Sequence, residues 1–204
     1  GGGDALRREK ILYFVLGFLC FLISQPLLRL PLLHKLQQTT GFALAFMMNP
    51  LLIQVLIALS AGVFEETFRF LFKLFFLKPD KCAISQPILF GLGHGISEVC
   101  VFLLPVVAML SISQLSIALI ERILAVTFHV TLTIAVWNGF QRNKKVLFLL
   151  LAILLHGMVD ALIPIISSVT TSVFVYYGAF FVVDIIMVIY AFHSRKYYPK
   201  EEAQ

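Results

Sequence analysis

Charge is scarce in this sequence. It holds 16 basic and 11 acidic residues in 204 positions, 13% charged against 60% hydrophobic, where an ordinary soluble domain is roughly 25% charged. That shortage excludes a soluble fold, because surface-to-volume geometry requires a polar exterior that these residues are too few to supply. Cysteine is scarce as well. Cys20, Cys82 and Cys100 form no CxxC pair, which excludes a disulfide framework or a zinc ribbon and leaves buried structural thiols. A continuous basic stripe is also missing. The net charge of +5 comes from short Lys/Arg clusters between apolar runs, the pattern of membrane orientation signals, so nucleic acid is given no role. The apolar run from Ile11 is too long for a signal-peptide core and lacks a small-residue cleavage site. Residues 1–3 read as a scar or a trimmed terminus, which leaves room for an earlier transmembrane segment.

What the chain does have is long apolar runs. A bilayer crossing needs about 20 apolar residues, and six stretches qualify: about 11–33, a helix within 42–77, 87–110, 115–140, 146–166 and 172–193. Pro26 and Pro31 loosen the far end of the first. Asn49–Pro50 breaks the second, because proline disfavours helix at the preceding residue, so its helix starts near Pro50. The fold class expected is an all-α polytopic helical bundle in one domain, residues 1–204. Arg7, Arg8 and Lys10, then Lys78 and Lys81, then Arg142, Lys144 and Lys145, then Arg195, Lys196 and Lys200 fall in alternate loops. That places both termini in the cytoplasm. Lys35 and the loop-proximal Arg29 oppose the trend.

Ionisable groups nevertheless fall inside these spans: Glu65, Glu66, Arg69, His94, Glu98 and Asp160, joined by His129 and His156. Each charge at a helix centre costs roughly 2.5–3.5 kcal/mol on insertion scales, so the set requires mutual satisfaction or a wet cavity. Glu65 and Arg69 are i,i+4, as are His94 and Glu98, and His156 and Asp160, which puts each pair on one helix face. At 1.5 Å per residue, Glu65, Glu66, His94, His129 and His156 lie roughly 10–18 Å from the Lys/Arg-rich edge. The reading is one hollow, entered from the cytoplasmic leaflet. Arg69 serves equally well as a structural partner of Glu65 or Glu66. Glu121 and Arg122 read as a pair or as snorkelling residues. Asp184 reads as a helix–helix hydrogen bond, and Gly91, Gly93 and Gly95 as permitting close helix approach or leaving room for a substrate.

An adjacent Glu65–Glu66 pair in low dielectric cannot comfortably hold two negative charges, which suits one of them to general acid or base work. With a histidine it could activate water for attack on an amide, while further histidines donate to the oxyanion. Three histidines and carboxylates are also zinc-type ligands. No HExxH occurs, however, and the histidines lie on three different spans.

Glu65-Glu66-Thr67-Phe68-Arg69 resembles the EExx(x)R motif of the CAAX-protease and bacteriocin-processing (CPBP) superfamily. Phe90 to His94 fits its FxxxH motif, and His156 to Asp160 its HxxxN/D motif. The closer resemblance is to the bacterial YhfC-type branch, with Gly91 to Glu98 as its GLGHG and following glutamate, and Glu121-Arg122-Ile123 with Phe128-His129 as its third motif. It covers roughly residues 42–166. It implies a glutamate-dependent intramembrane endopeptidase of a bacterial cytoplasmic membrane. In it Glu65 and His94 activate water, Glu66 and Arg69 support the site, His156 and Asp160 stabilise the oxyanion, and His129 lines the cavity, with Glu98 counted among the site residues. Two departures stand out: EExxR is one residue shorter than the EExxxR of the CAAX enzymes, and Asp160 replaces their asparagine. The expectation is a site without a cofactor, acting on membrane-embedded or lipidated peptide substrates among membrane lipids. The alternatives are a zinc protease using His94, His129 and His156, a proton-coupled transporter, and a non-catalytic scaffold.

Overall fold

Lipid offers no partners to backbone N–H and C=O groups, so apolar runs of this length cross as helices. The computed structural model describes residues 1–201, and among these there are helices and no strand. In chain order they are α1 (Gly2–Ser24), α2 (Leu30–Gln37), α3 (Thr40–Met48), α4 (Pro50–Phe76), α5 (Ser85–Phe102), α6 (Ile112–Gln141), α7 (Lys145–Ser167) and α8 (Val173–Ser194). Six stretches are long and apolar enough to cross a bilayer: Gly2–Gln37, Pro50–Phe76, Ser85–Met109, Ile112–Gln141, Lys145–Ser167 and Val173–Tyr197. They are the six expected.

Two boundaries show how the sequence sets them. Asn49 caps α4, its side-chain oxygen accepting from the Leu52 amide at 3.1 Å, and Pro50 follows where a missing N–H costs nothing. Between the prolines of the first span the helix widens instead of breaking. Gln25–Arg29 winds as a π-helix, closed by the Leu30 amide on the Gln25 carbonyl, so α1 continues into α2.

α1 packs on α5, α4 on α7, and α6 on α5, α7 and α8. Glycines let the backbones approach. A Cβ on Gly17 would overlap the Phe90 carbonyl, and one on Gly93 the Phe14 carbonyl, so α1 and α5 lie against each other at both points. On the other face of α5, a Cβ on Gly91 would stand 2.5 Å from the Val130 Cα and one on Gly95 3.0 Å from the Val126 Cα of α6. α4 meets α7 at Gly62, where a Cβ would stand 2.8 Å from the Gly157 nitrogen. The role expected of Gly91, Gly93 and Gly95 as spacers is therefore theirs.

The two ends of the bundle differ. At the Lys/Arg-rich end Phe72, Leu77, Phe90, Leu132, Val136, Trp137 and Phe140 fill the interior. Buried Lys73 donates to the Leu77 carbonyl (2.8 Å), the Pro79 carbonyl (3.1 Å) and Gln86 Oε1 (2.7 Å). It thereby satisfies carbonyls at the C-terminus of α4. Trp137 Nε1 donates to the same Gln86 oxygen at 2.9 Å. The opposite end holds a cavity. Asp184, expected to make a helix–helix hydrogen bond, does not: both its carboxyl oxygens are buried without a hydrogen-bond partner. Its side chain lies on the face of α8 that carries buried Phe180, Met187 and Ala191, away from the polar cluster.

Candidate active site

Adjacent residues on a helix point about 100° apart, and Glu65 and Glu66 use that divergence to take separate partners. Glu66 is fully buried and bidentate with Arg69, whose Nε donates to Oε2 and Nη2 to Oε1, each at 3.0 Å. His156 Nδ1 meets the same Oε1 at 2.8 Å. Glu65 faces the other way. Its Oε1 lies 2.9 Å from His94 Nε2, its Oε2 accepts from Gln25 Nε2 at 2.7 Å, and His156 Nε2 stands 3.6 Å from it. The i,i+4 spacing of Glu65 and Arg69 thus does not pair them; Arg69 belongs to Glu66.

Arg69 then reaches α6. Its Nη1 donates to the His129 carbonyl (3.0 Å) and to Thr133 Oγ1, and its Nη2 faces His129 Nδ1 at 3.1 Å. Since guanidinium has donors only, His129 accepts at Nδ1 and carries its proton on Nε2. That Nε2 lies 2.6 Å from Glu98 Oε2. Glu98 Oε1 pairs with Arg122 at 3.0 Å, Arg122 with Glu121 at 2.9 Å, and the Tyr177 hydroxyl donates to Glu121 at 3.2 Å. Pairing is therefore the role of Glu121 and Arg122. Asp160 Oδ2 is 3.3 Å from His156 Nε2. The rings of His94 and His129 have centroids 4.4 Å apart, and those of His129 and His156 5.7 Å. All eight residues singled out in the sequence stand in one cluster contributed by α4, α5, α6 and α7.

The cluster lies against a cavity of about 620 Å³, which Glu65, Glu98, His129, His156 and Asp160 help to line while Glu66, Arg69 and His94 stand behind them. Its other walls are Phe21, Gln25, Arg29 and Leu30 from α1 and its extension, Gln54 to Ala61 from α4, Phe102 from α5, Glu121 and Arg122 from α6, Pro164 from α7, and Tyr176 and Phe180 from α8. Every one of these belongs to the half of its span away from the Lys/Arg-rich loops. Aromatic side chains pack the basic end, and the cavity lies in the other half of the bundle. Arg29 corrects one expectation. It is no loop charge, but 8% exposed and inside the cavity wall.

The chain matches the YhfC intramembrane metalloprotease family over residues 6–118 and 100–188. It belongs to that family. No curated protein matches it. This YhfC-family chain is an integral membrane protein, and the family's description bears on the cofactor. Glu65, His94 and His129 each offer one ligand atom within 4.8 Å of one another, all buried. That group and the metalloprotease family together overturn the expectation of a cofactor-free site. Sequence spacing hid it because its members come from three helices and no two share an HExxH register.

A carboxylate with two imidazoles suits a divalent ion such as zinc. Two further observations agree. His94 Nδ1 is buried without a partner, so the protein alone does not satisfy that ring. The cavity is lined by four carboxylates, Glu65, Glu98, Glu121 and Asp160, against two guanidiniums, Arg29 and Arg122, an acidic lining that favours a cation. To offer Nε2, His129 would have to shift its proton to Nδ1 and loosen its contacts with Glu98 and Arg69 Nη2. The histidine set expected for zinc, His94, His129 and His156, changes by one member: Glu65 takes the place of His156 in the compact group. Sequence reasoning passed over Gln25 and Arg29 as members of the site. The available signal was two polar residues four apart inside an apolar run.

Proposed function

We propose that this YhfC protein is a metal-dependent intramembrane endopeptidase that hydrolyses peptide bonds of membrane-embedded or lipidated substrates within the cavity. The observation that carries the reading is that ligand atoms of Glu65, His94 and His129 lie within 4.8 Å of one another, with Glu65 and His129 at the wall of the cavity. A bound divalent ion there would polarise the peptide carbonyl and lower the pKa of water.

The chain's own residues then divide the work. Glu65 would help hold the ion and is the one of the two glutamates that reaches the cavity. Glu66 has both oxygens occupied by Arg69 and His156 and does not reach the cavity. Glu66 instead accepts from His156 Nδ1, which fixes the ring so that Nε2 faces the cavity beside Asp160. From there His156 Nε2–H donates to the oxyanion or the departing amine, and Asp160 supports the charge it carries. Arg69 neutralises Glu66 and holds the His129 backbone, keeping α4 and α6 in register. The order of the motifs supports kinship with the CPBP superfamily, and one domain carries the whole site. With the basic loops in the cytoplasm of a bacterial cell, the cavity opens to the outer leaflet, where a transmembrane or lipid-anchored segment enters sideways. Phe72, Phe90, Trp137 and Phe140 fill the basic end, which weighs against transport.

Cleavage of a membrane-protein substrate library by the purified protein tests this. Wild type is expected to cut, to lose activity with a chelator and to regain it with zinc. Glu65→Gln and His94→Ala are expected to fall at least about 100-fold, on the scale of losing one catalytic group. Unchanged cleavage in both variants, with the fold retained, would sink the proposal.

A further inference from the structure

A glutamine and an arginine inside a transmembrane run mark a functional position unless something explains them otherwise. Gln25 and Arg29 are 5% and 8% exposed, and they open and close the π-helical turn between α1 and α2. Such widened turns concentrate at functional sites. This one sets two polar side chains four residues apart against α4, and the contacts they make form a directed chain.

Arg29 is anchored first. Its Nη2 donates to the Ile57 carbonyl at 2.8 Å and its Nε to Ser60 Oγ at 3.0 Å, both on α4. Its remaining Nη1 lies 3.0 Å from the Gln25 side chain. A guanidinium has donors only, so the Gln25 atom facing it is the oxygen. The amide therefore cannot flip, and its nitrogen points at Glu65, donating to Oε2 over 2.7 Å. One oxygen of Glu65 is thereby occupied by a neutral donor. The other, Oε1, stays turned toward His94.

We propose that Gln25 is a positioning residue for Glu65 and that Arg29 acts through it. Arg29 fixes the amide, the amide holds Oε2, and Glu65 is left with one working oxygen aimed at the centre it shares with His94 and His129. The proposal rests on the reading of Glu65 as a metal-bearing carboxylate. A neutral amide suits the task better than a second cation. It restrains the carboxylate through hydrogen bonding, as outer-shell partners restrain metal ligands, without adding a charge that would repel the ion.

The competing reading is a structural tie of α1 to α4, and the two predict different things. A tie would reside mainly in Arg29, which makes two of the three hydrogen bonds from this turn to α4. Positioning resides in Gln25. The test measures zinc affinity of the full chain in detergent micelles by competition with a chromophoric chelator, for wild type, Gln25→Met, Arg29→Met and the double variant, with thermal melting as the control. Methionine keeps the length and apolar stem of glutamine and removes its donor. Gln25→Met is expected to bind zinc about 10–100-fold more weakly with its melting little changed. Because Arg29 acts through Gln25, the double variant is expected to lose no more affinity than Gln25→Met alone.

Wild-type affinity in Gln25→Met, or losses that add in the double variant, would overturn the proposal. If Gln25→Met does not fold, Arg29→Lys reads the same quantity. It keeps the charge but gathers its donors on one nitrogen in place of the three that Arg29 spreads over Gln25, Ser60 and Ile57, and a several-fold loss of affinity is expected, with wild-type affinity counting against. The two readings fail separately. Zinc bound by wild type, lost in Glu65→Gln and retained in Gln25→Met would remove the positioning role alone. No zinc bound by wild type would remove the metal-protease reading, and this role with it.

Discussion

Every nitrogen of Arg69 has a partner inside the bundle: Glu66 at two points, the His129 ring and carbonyl, and Thr133. Such a group cannot be removed alone. Truncating one member of a buried ion pair leaves an uncompensated charge, which costs about 3–5 kcal/mol, whereas replacing both members with apolar residues costs far less. Arg69→Met is therefore expected to lose about that much stability, and the Arg69→Met, Glu66→Met double variant to recover part of it, read from chemical or thermal unfolding in micelles. Equal destabilisation in the two would show that the ion pair is not what Arg69 supplies. The residue types needed at this site were legible in the chain, because ionisable groups in an apolar run are conspicuous. Their partners were not. Spacing placed Glu65 and Arg69 on one face, but both terminal nitrogens of Arg69 are also claimed by α6, which turns the guanidinium to Glu66.

Among the elements, spans announce themselves by length and composition, and all six agree with the apolar runs. The cap at Asn49 follows from Asn-Pro chemistry alone. The π-turn at Gln25–Arg29 does not: two prolines signal a disturbed helix, but whether it kinks, breaks or widens depends on what its side chains meet, here Ser60 and Ile57 of α4. Packing depends on glycine in the same partly legible way. A side chain at Gly62 would push against the backbone of α7, with Ile153 and Gly157 atoms 2.8 Å from its Cβ. Backbone cannot move aside as a side chain tip can. Gly62→Leu is expected to cost at least about 1–3 kcal/mol, the usual cost of overpacking, and to lower activity by parting Glu65 and Glu66 from His156. Unfolding curves and a cleavage assay on the same preparation check both; a stable, fully active variant would contradict the α4–α7 contact.

For the whole molecule, Phe90, Trp137 and Phe140 pack one end and the cavity lies toward the other. If the basic loops are cytoplasmic, Thr171→Cys, exposed at the cavity end, is expected to react with a membrane-impermeant maleimide in intact cells. Lys144→Cys, exposed at the basic end, is expected to react only after permeabilisation. The reverse pattern would turn the cavity to the cytoplasm. Hydropathy alone determined that this chain is a helical membrane protein with six crossings, because backbone in lipid has no other choice. The intramembrane Glu, Arg, His and Asp residues marked where its chemistry lies, because charge in an apolar run has to be satisfied. Only the tertiary structure decided which groups meet, that Glu65 rather than His156 joins His94 and His129, and which half of the bundle holds the hollow. Those outcomes depend on helix rotation and on which end large side chains fill, and neither is encoded in spacing along a single helix.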